Sequence, residues 1–163
     1  MEICQGCGGA GCKQCKDQQT PKLFIPIEPM GAVRTTQKGK YTSEAYKRYA
    51  SYKEHIGLMA KNYLKFIPPG VAVAITDLTF YMPIPESGKV SRIDPLTGKR
   101  KKYPVAEGMP HITKPDIDNL IKGLFDSLNG VAWADDAQIF KITNQQKVYR
   151  EYPGIEFGIE FLN

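Results

Sequence analysis

The clearest period in the chain is its last one. Ile155, Phe157, Ile159 and Phe161 alternate with Glu156, Gly158 and Glu160. Such alternation defines a strand with one wet face and one buried face, and the buried face must be covered by another element. Two helical segments can cover it. One begins after Pro115, which cannot continue a helix from upstream, and ends at Asn129-Gly130, both tolerant of the left-handed conformation of a C-terminal cap. Within it Ile117, Ile121, Leu124 and Leu128 mark an apolar face, while Asp118, Lys122 and Asp126 form another stripe. The other helix starts at Ser43, a natural N-cap, and carries Tyr49, Tyr52, Ile56, Met59, Tyr63 and Phe66 at spacings of three and four for about five turns. Core packing is the first use expected of that stripe, a dimer seam the second and stacking on bases the third.

Further strands are predicted at Leu23–Ile27, where Pro26 suggests an edge, and at Val71–Met82, after the break at Pro68-Pro69-Gly70. In the latter Val71, Val73 and Ile75 lie in one register and Leu78, Phe80 and Met82 in the other, so a bulge is predicted near Thr76-Asp77. Another strand falls within Gln138–Tyr149, and Pro153-Gly154 gives the turn before the last. The order β-α-β-α-β-β implies a single α+β domain, residues 21–163, with one mixed sheet carrying helices on one face. A chain of 163 residues is long enough for a real core. Between Pro83 and Pro110 a long loop is predicted, with Asp94-Pro95-Leu96-Thr97-Gly98 as a turn; loops of that length are functional or disordered.

No apolar run is long enough to cross a bilayer and no signal-peptide pattern is present, so a cytoplasmic protein is expected. The net charge of +5 is moderate, but the cations cluster: Arg34, Lys38 and Lys40 in one loop, Lys99, Arg100, Lys101 and Lys102 in another. Clustered cations imply an anionic partner, DNA phosphate first, against the alternative of ordinary solvated loops.

The acids are placed differently. Asp116 and Asp118 open a helix, Lys122 follows one turn on, and Asp135-Asp136 come after the glycine stop. If the return through Trp133 is tight, the second pair comes back toward the first. Mg²⁺ or Mn²⁺ takes oxygen ligands and leaves positions to water and phosphate, so convergent carboxylates suit phosphodiester cleavage, with Lys122 offsetting charge. The structural alternative is that Asp118 caps, Lys122 pairs with it at i,i+4, and Asp135-Asp136 are turn residues.

The string as a whole resembles the RusA family of Holliday junction resolvases, whose core reads Asp-x-Asp-Asn-x-x-Lys, an Asp-x-Leu helix end, then Asp-Asp-x-Gln. Here these are Asp116, Asp118, Asn119 and Lys122; Asp126-Ser127-Leu128; and Asp135-Asp136-Ala137-Gln138. The resemblance implies a homodimeric, Mg²⁺-dependent endonuclease cutting four-way DNA junctions symmetrically. It implies Asp116, Asp118 and Asp136 as metal ligands, Lys122 as the catalytic lysine, and Asp135 as a further ligand or as a residue that supports one from behind. A less selective Mg²⁺ nuclease for branched DNA and a non-catalytic zinc-containing DNA-binding adaptor are the competing readings.

Outside that resemblance, Cys4, Cys7, Cys12 and Cys15 form two Cys-x-x-Cys pairs within residues 1–20, the usual means of presenting four thiolates to one Zn²⁺. A small zinc knuckle is expected; a reduced tail, an iron–sulfur cluster and disulfides are the alternatives. Metal analysis of the purified protein is expected to find zinc, and a preparation with neither zinc nor iron removes the knuckle.

Overall fold

The computed structural model describes residues 22–34 and 43–162. The elements run β1 (Leu23–Ile25), α1 (Glu44–Tyr63), β2 (Ala72–Pro83), β3 (Lys89–Ile93), β4 (Arg100–Pro104), α2 (Ile117–Leu128), a one-turn 3-10 helix (Asp136–Gln138), β5 (Ile139–Ile142), β6 (Gln146–Arg150) and β7 (Gly154–Leu162). The α+β class and the mixed sheet are as expected. The segment that contains the four cysteines, and Lys38 and Lys40 with it, lie outside the described residues.

β2 is the centre of the sheet. It pairs antiparallel with β7 on one side and parallel with both β5 and β6 on the other, while β1 forms the far edge beyond β7. The apolar slip has the predicted cause: the β2–β7 register shifts between Thr76 and Thr79, and Asp77 takes φ 51°. Val73, Ile75, Leu78, Phe80 and Met82 are all buried and join one core with Ile155 and Phe157 of β7. Opposite the bulge, Asn144 takes φ 50° and its amide donates to Asp77 Oδ1 at 2.7 Å, so one edge is divided into β5 and β6. The predicted Gln138–Tyr149 strand is therefore two. Pro153-Gly154 does not join paired neighbours either, because β6 and β7 flank β2 on opposite sides.

Both helices feed the same core. α1 buries Tyr49, Tyr52, Ile56, Gly57 and Ala60; α2 buries Leu120, Gly123, Leu124, Phe125, Ser127 and Leu128. The aromatic stripe of α1 outruns its cover, since Tyr63 and Phe66 are exposed where the helix ends and the chain turns extended at Leu64. On the uncovered side of the sheet the Arg150 guanidinium lies 4.5 Å from the Tyr81 ring and 5.6 Å from that of Phe24.

The predicted loop of residues 83–110 holds a β-hairpin, β3 against β4, closed by the Asp94–Gly98 turn. One face of this ribbon is exposed and the other is half-buried, with Val90 against the core, but Arg92 and Lys101 share that inner face, so no apolar period marks it in the sequence. Beyond it Gly108 and His111 donate to Tyr149 and Lys147, carrying the chain along the β6 edge into α2.

A strap at residues 30–32 crosses α2 where Gly123 leaves room: Ala32 N donates to Asn119 O at 3.1 Å, and a Cβ on Gly123 would stand 2.6 Å from Met30 O. Alanine is the better helix former by about 1 kcal/mol, but forcing the strap outward costs about 1–3 kcal/mol, so the clash wins. Gly123→Ala is thus expected to lower the denaturant midpoint, measured by chemical unfolding; an unchanged or raised midpoint contradicts the close approach.

Candidate active site

Asp116 sits at the N-cap position of α2, with φ −70° and ψ 150°, yet its side chain makes no capping hydrogen bond. Asp118 lies in the first turn, and both are exposed. The ion pairs among the described residues are Lys22 with Asp77 and Glu156, and Arg150 with Glu107, so Asp118 and Lys122 are not paired. Among the described residues the carboxylates of Asp116 and Asp118 have no hydrogen-bond or ion-pair partner. The segment leading to them is held from beneath by Lys147 of β6, whose ammonium donates to Thr113 O at 2.7 Å and Pro115 O at 2.5 Å. Burial lowers the Lys147 pKa, and the nearby Asp116 carboxylate opposes that shift.

Lys122 opens onto a cleft of about 340 Å³ between α1, α2 and the strap, which it shares with Arg34, Lys53 and Asp126. The carboxylate here is engaged: the Tyr49 hydroxyl donates to Asp126 Oδ2 at 3.0 Å. Burial first, and then Asp126, raise the Tyr49 pKa, so it stays a donor. The Lys53 ammonium lies 5.2 Å from the Tyr49 ring. Three cations facing one hydrogen-bonded carboxylate make the cleft attractive to phosphate. Arg34 was expected among the phosphate contacts; Lys53 was not, because its only signal is a position one turn beyond Tyr49 on a helix read as core.

The return from α2 is tight, but at the far end of the helix. Gly130, at φ 73°, ends α2, and the Trp133 indole donates to Asn129 Oδ1 at 2.7 Å from a fully buried site. Asp135 then caps the 3-10 turn by accepting from Ala137 N at 2.8 Å, while Gln138 closes the capping box and donates to Pro68 O at 2.8 Å and Val71 O at 3.0 Å. Asp136 is exposed within that turn. A helix of 12 residues spans about 18 Å, so Asp136 is kept well away from Asp116 and Asp118 of its own chain. Among the described residues no three His, Cys, Asp or Glu side chains converge on a metal-sized site. One chain alone therefore does not fit the three-carboxylate ion site expected from the linear motif. Lys99 lies in the hairpin turn, and Arg100, Lys101 and Lys102 project from exposed positions on β4.

Exposed acids thus stand at the start of α2 and in the turn beyond its end, beside a cationic cleft. Residues 26–160 match the family Endodeoxyribonuclease RusA, and the chain belongs to it. It is thus a nuclease of the Holliday junction resolvase kind. A relative, the uncharacterized protein YqaN of Bacillus subtilis (strain 168), is 30% identical over 132 residues, which cover 80% of this chain and 84% of that one. Among the described residues no helix is long and apolar enough to cross a membrane.

His111 is buried at 8% exposure; its Nδ1 has no hydrogen-bond partner among the described residues and its Nε2 lies 3.2 Å from Thr113 Oγ1. Burial, and next Lys147, depress its pKa below the ordinary 6.5. The unfolded chain therefore takes up a proton that the folded chain refuses, and stability falls as pH drops through that value. The thermal midpoint is expected to fall between about pH 7 and about pH 5, and to fall less in His111→Gln. Identical pH slopes in the two proteins overturn this assignment.

Proposed function

We propose that this nuclease works as a homodimer that cuts four-way DNA junctions by paired symmetric nicks with Mg²⁺ or Mn²⁺. In this reading Asp116 and Asp118 of one chain and Asp136 of the other would hold the ion. The supporting observation is that exposed carboxylates stand at the two ends of α2, too far apart to meet within a chain. In a two-fold dimer with α2 antiparallel to its copy, the start of each helix meets the finish of the other, and two equivalent sets of acids form. A four-way junction has the same symmetry, with one site for each of two opposed strands.

When bound, such an ion supplies Lewis-acid stabilisation of the phosphate oxygens. Lys122, one turn from Asp118 on the exposed stripe, adds an ammonium to the same phosphate, and Arg34 and Lys53 draw the strand into the cleft. Asp135 serves by fixing the turn that presents Asp136. Lys99, Arg100, Lys101 and Lys102 contact the backbone of the junction arms, with Lys38 and Lys40 in the same role. Cys4, Cys7, Cys12 and Cys15 are assigned, on their spacing, to one structural Zn²⁺.

Asp118→Asn and Asp136→Asn are each expected to abolish cutting while junction binding survives, because the cations supply most of the affinity. When the two inactive proteins are mixed and exchange chains, the mixed dimer holds one complete set of acids and is expected to regain nicking of a single strand. Labelled junctions with and without Mg²⁺, and a linear duplex as control, read this on a gel. Cutting by Asp118→Asn alone removes that residue from the set; a mixture that stays inactive removes the two-chain assembly; equal cutting of the duplex removes junction selectivity.

A further inference from the structure

The β3–β4 hairpin has more structure than charge alone requires. Its register places Lys89, Ser91, Ile93, Arg100, Lys102 and Pro104 on one face, and all of them are exposed. On the other face the Tyr103 ring has the Arg92 guanidinium at 5.1 Å and the Lys101 ammonium at 5.8 Å, which stiffens the ribbon. The tip is held as firmly. Asp94 Oδ1 accepts from Leu96 N at 2.9 Å and Thr97 N at 3.2 Å, Gly98 N donates to Asp94 O at 2.8 Å, and Asp94 N donates to Lys99 O at 2.9 Å. Gly98 takes φ 67°, as this turn requires. The turn presents Leu96 with 95% of its surface exposed, and Ile93 beside it at 63%.

A single exposed leucine is ordinary. This one stands on a hydrogen-bonded tip at the end of a ribbon whose exposed face is cationic, so the surface around it is complementary to nucleic acid. Two-stranded ribbons fit the major groove, and proteins that kink DNA insert leucine, isoleucine or proline between base steps. The step that opens most readily is one already strained, and the branch point of a four-way junction is such a place.

We infer that Leu96, backed by Ile93 and Pro95, is a wedge that enters an opened base step at the branch point while Lys89, Arg100 and Lys102 follow the phosphates. The wedge rests on the junction-cutting reading above and adds to it the residue that senses branching. Phosphate contacts bind any duplex, whereas a wedge is favoured only where a base step opens at low cost.

The test uses a four-way junction with 2-aminopurine beside the branch point, the matching linear duplex, and Ca²⁺ in place of Mg²⁺. Wild-type protein is expected to raise the fluorescence of the junction and not of the duplex. Leu96→Ser, at a surface position with no packing to lose, is expected to abolish the rise and to reduce the preference for junction over duplex about tenfold, with duplex affinity and its salt dependence unchanged. Lys102→Ala is expected to weaken both substrates equally. Undiminished fluorescence and preference in Leu96→Ser overturn the wedge but leave the nuclease reading standing; a wild-type protein without preference for branched DNA overturns both.

Discussion

One irregular residue in the central strand holds the architecture together. β2 is 12 residues long and must keep its large side chains against two helices throughout, while a regular strand of that length would have to alternate strictly. The left-handed Asp77 inserts the extra half-period, so Val73 and Ile75 before it and Leu78, Phe80 and Met82 after it share one core. The facing edge repeats the kink at Asn144, whose amide reaches Asp77. Since Lys22 also pairs with Asp77 at 3.3 Å, the bulge is tied to both edges of the sheet. Asp77 is a carboxylate with a structural occupation, and its depressed pKa follows from Asn144 first and Lys22 next.

From that sheet the position of each acid follows. Lys147 on β6, beyond the kink, secures the residues ahead of Asp116, whereas Gln138, just before β5, secures the turn that bears Asp136 to residues 68 and 71. The two groups are attached to opposite halves of one divided edge, with α2 as the spacer between them. Their separation is thus built into the sheet and is not an accident of loop conformation.

Elements whose determinants are local were legible in the sequence: α2 from Pro115 and Asn129-Gly130, β1 as an edge from Pro26, and the bulge from the slipped apolar phase. The family was legible for the same reason, since its motif is a continuous string of fixed gaps. What escaped is whatever depends on partners distant along the chain. That β6 and β7 flank β2 is a matter of pairing, on which a turn at Pro153-Gly154 is silent. Lys53 and Lys147 gain their surroundings from residues brought in by the fold, and Tyr63 and Phe66 continue a stripe past the end of what it packs on. The acids show the limit most plainly: a linear motif lists Asp116, Asp118 and Asp136 as a set without saying that a full helix length lies between them.

The hairpin is joined to the body through a narrow base, where the Val105 amide donates to Gly88 O at 2.9 Å, and above that bond every residue of its outer face is exposed. Residues added as facing pairs would lengthen it by about 3.4 Å each without moving any core side chain, and pairs of pairs would preserve which residues face outward. Reach and folding stability are therefore separately adjustable in this molecule. An arm so attached can diverge in length among relatives, and with it the substrate geometry they grasp, while the catalytic body stays the same.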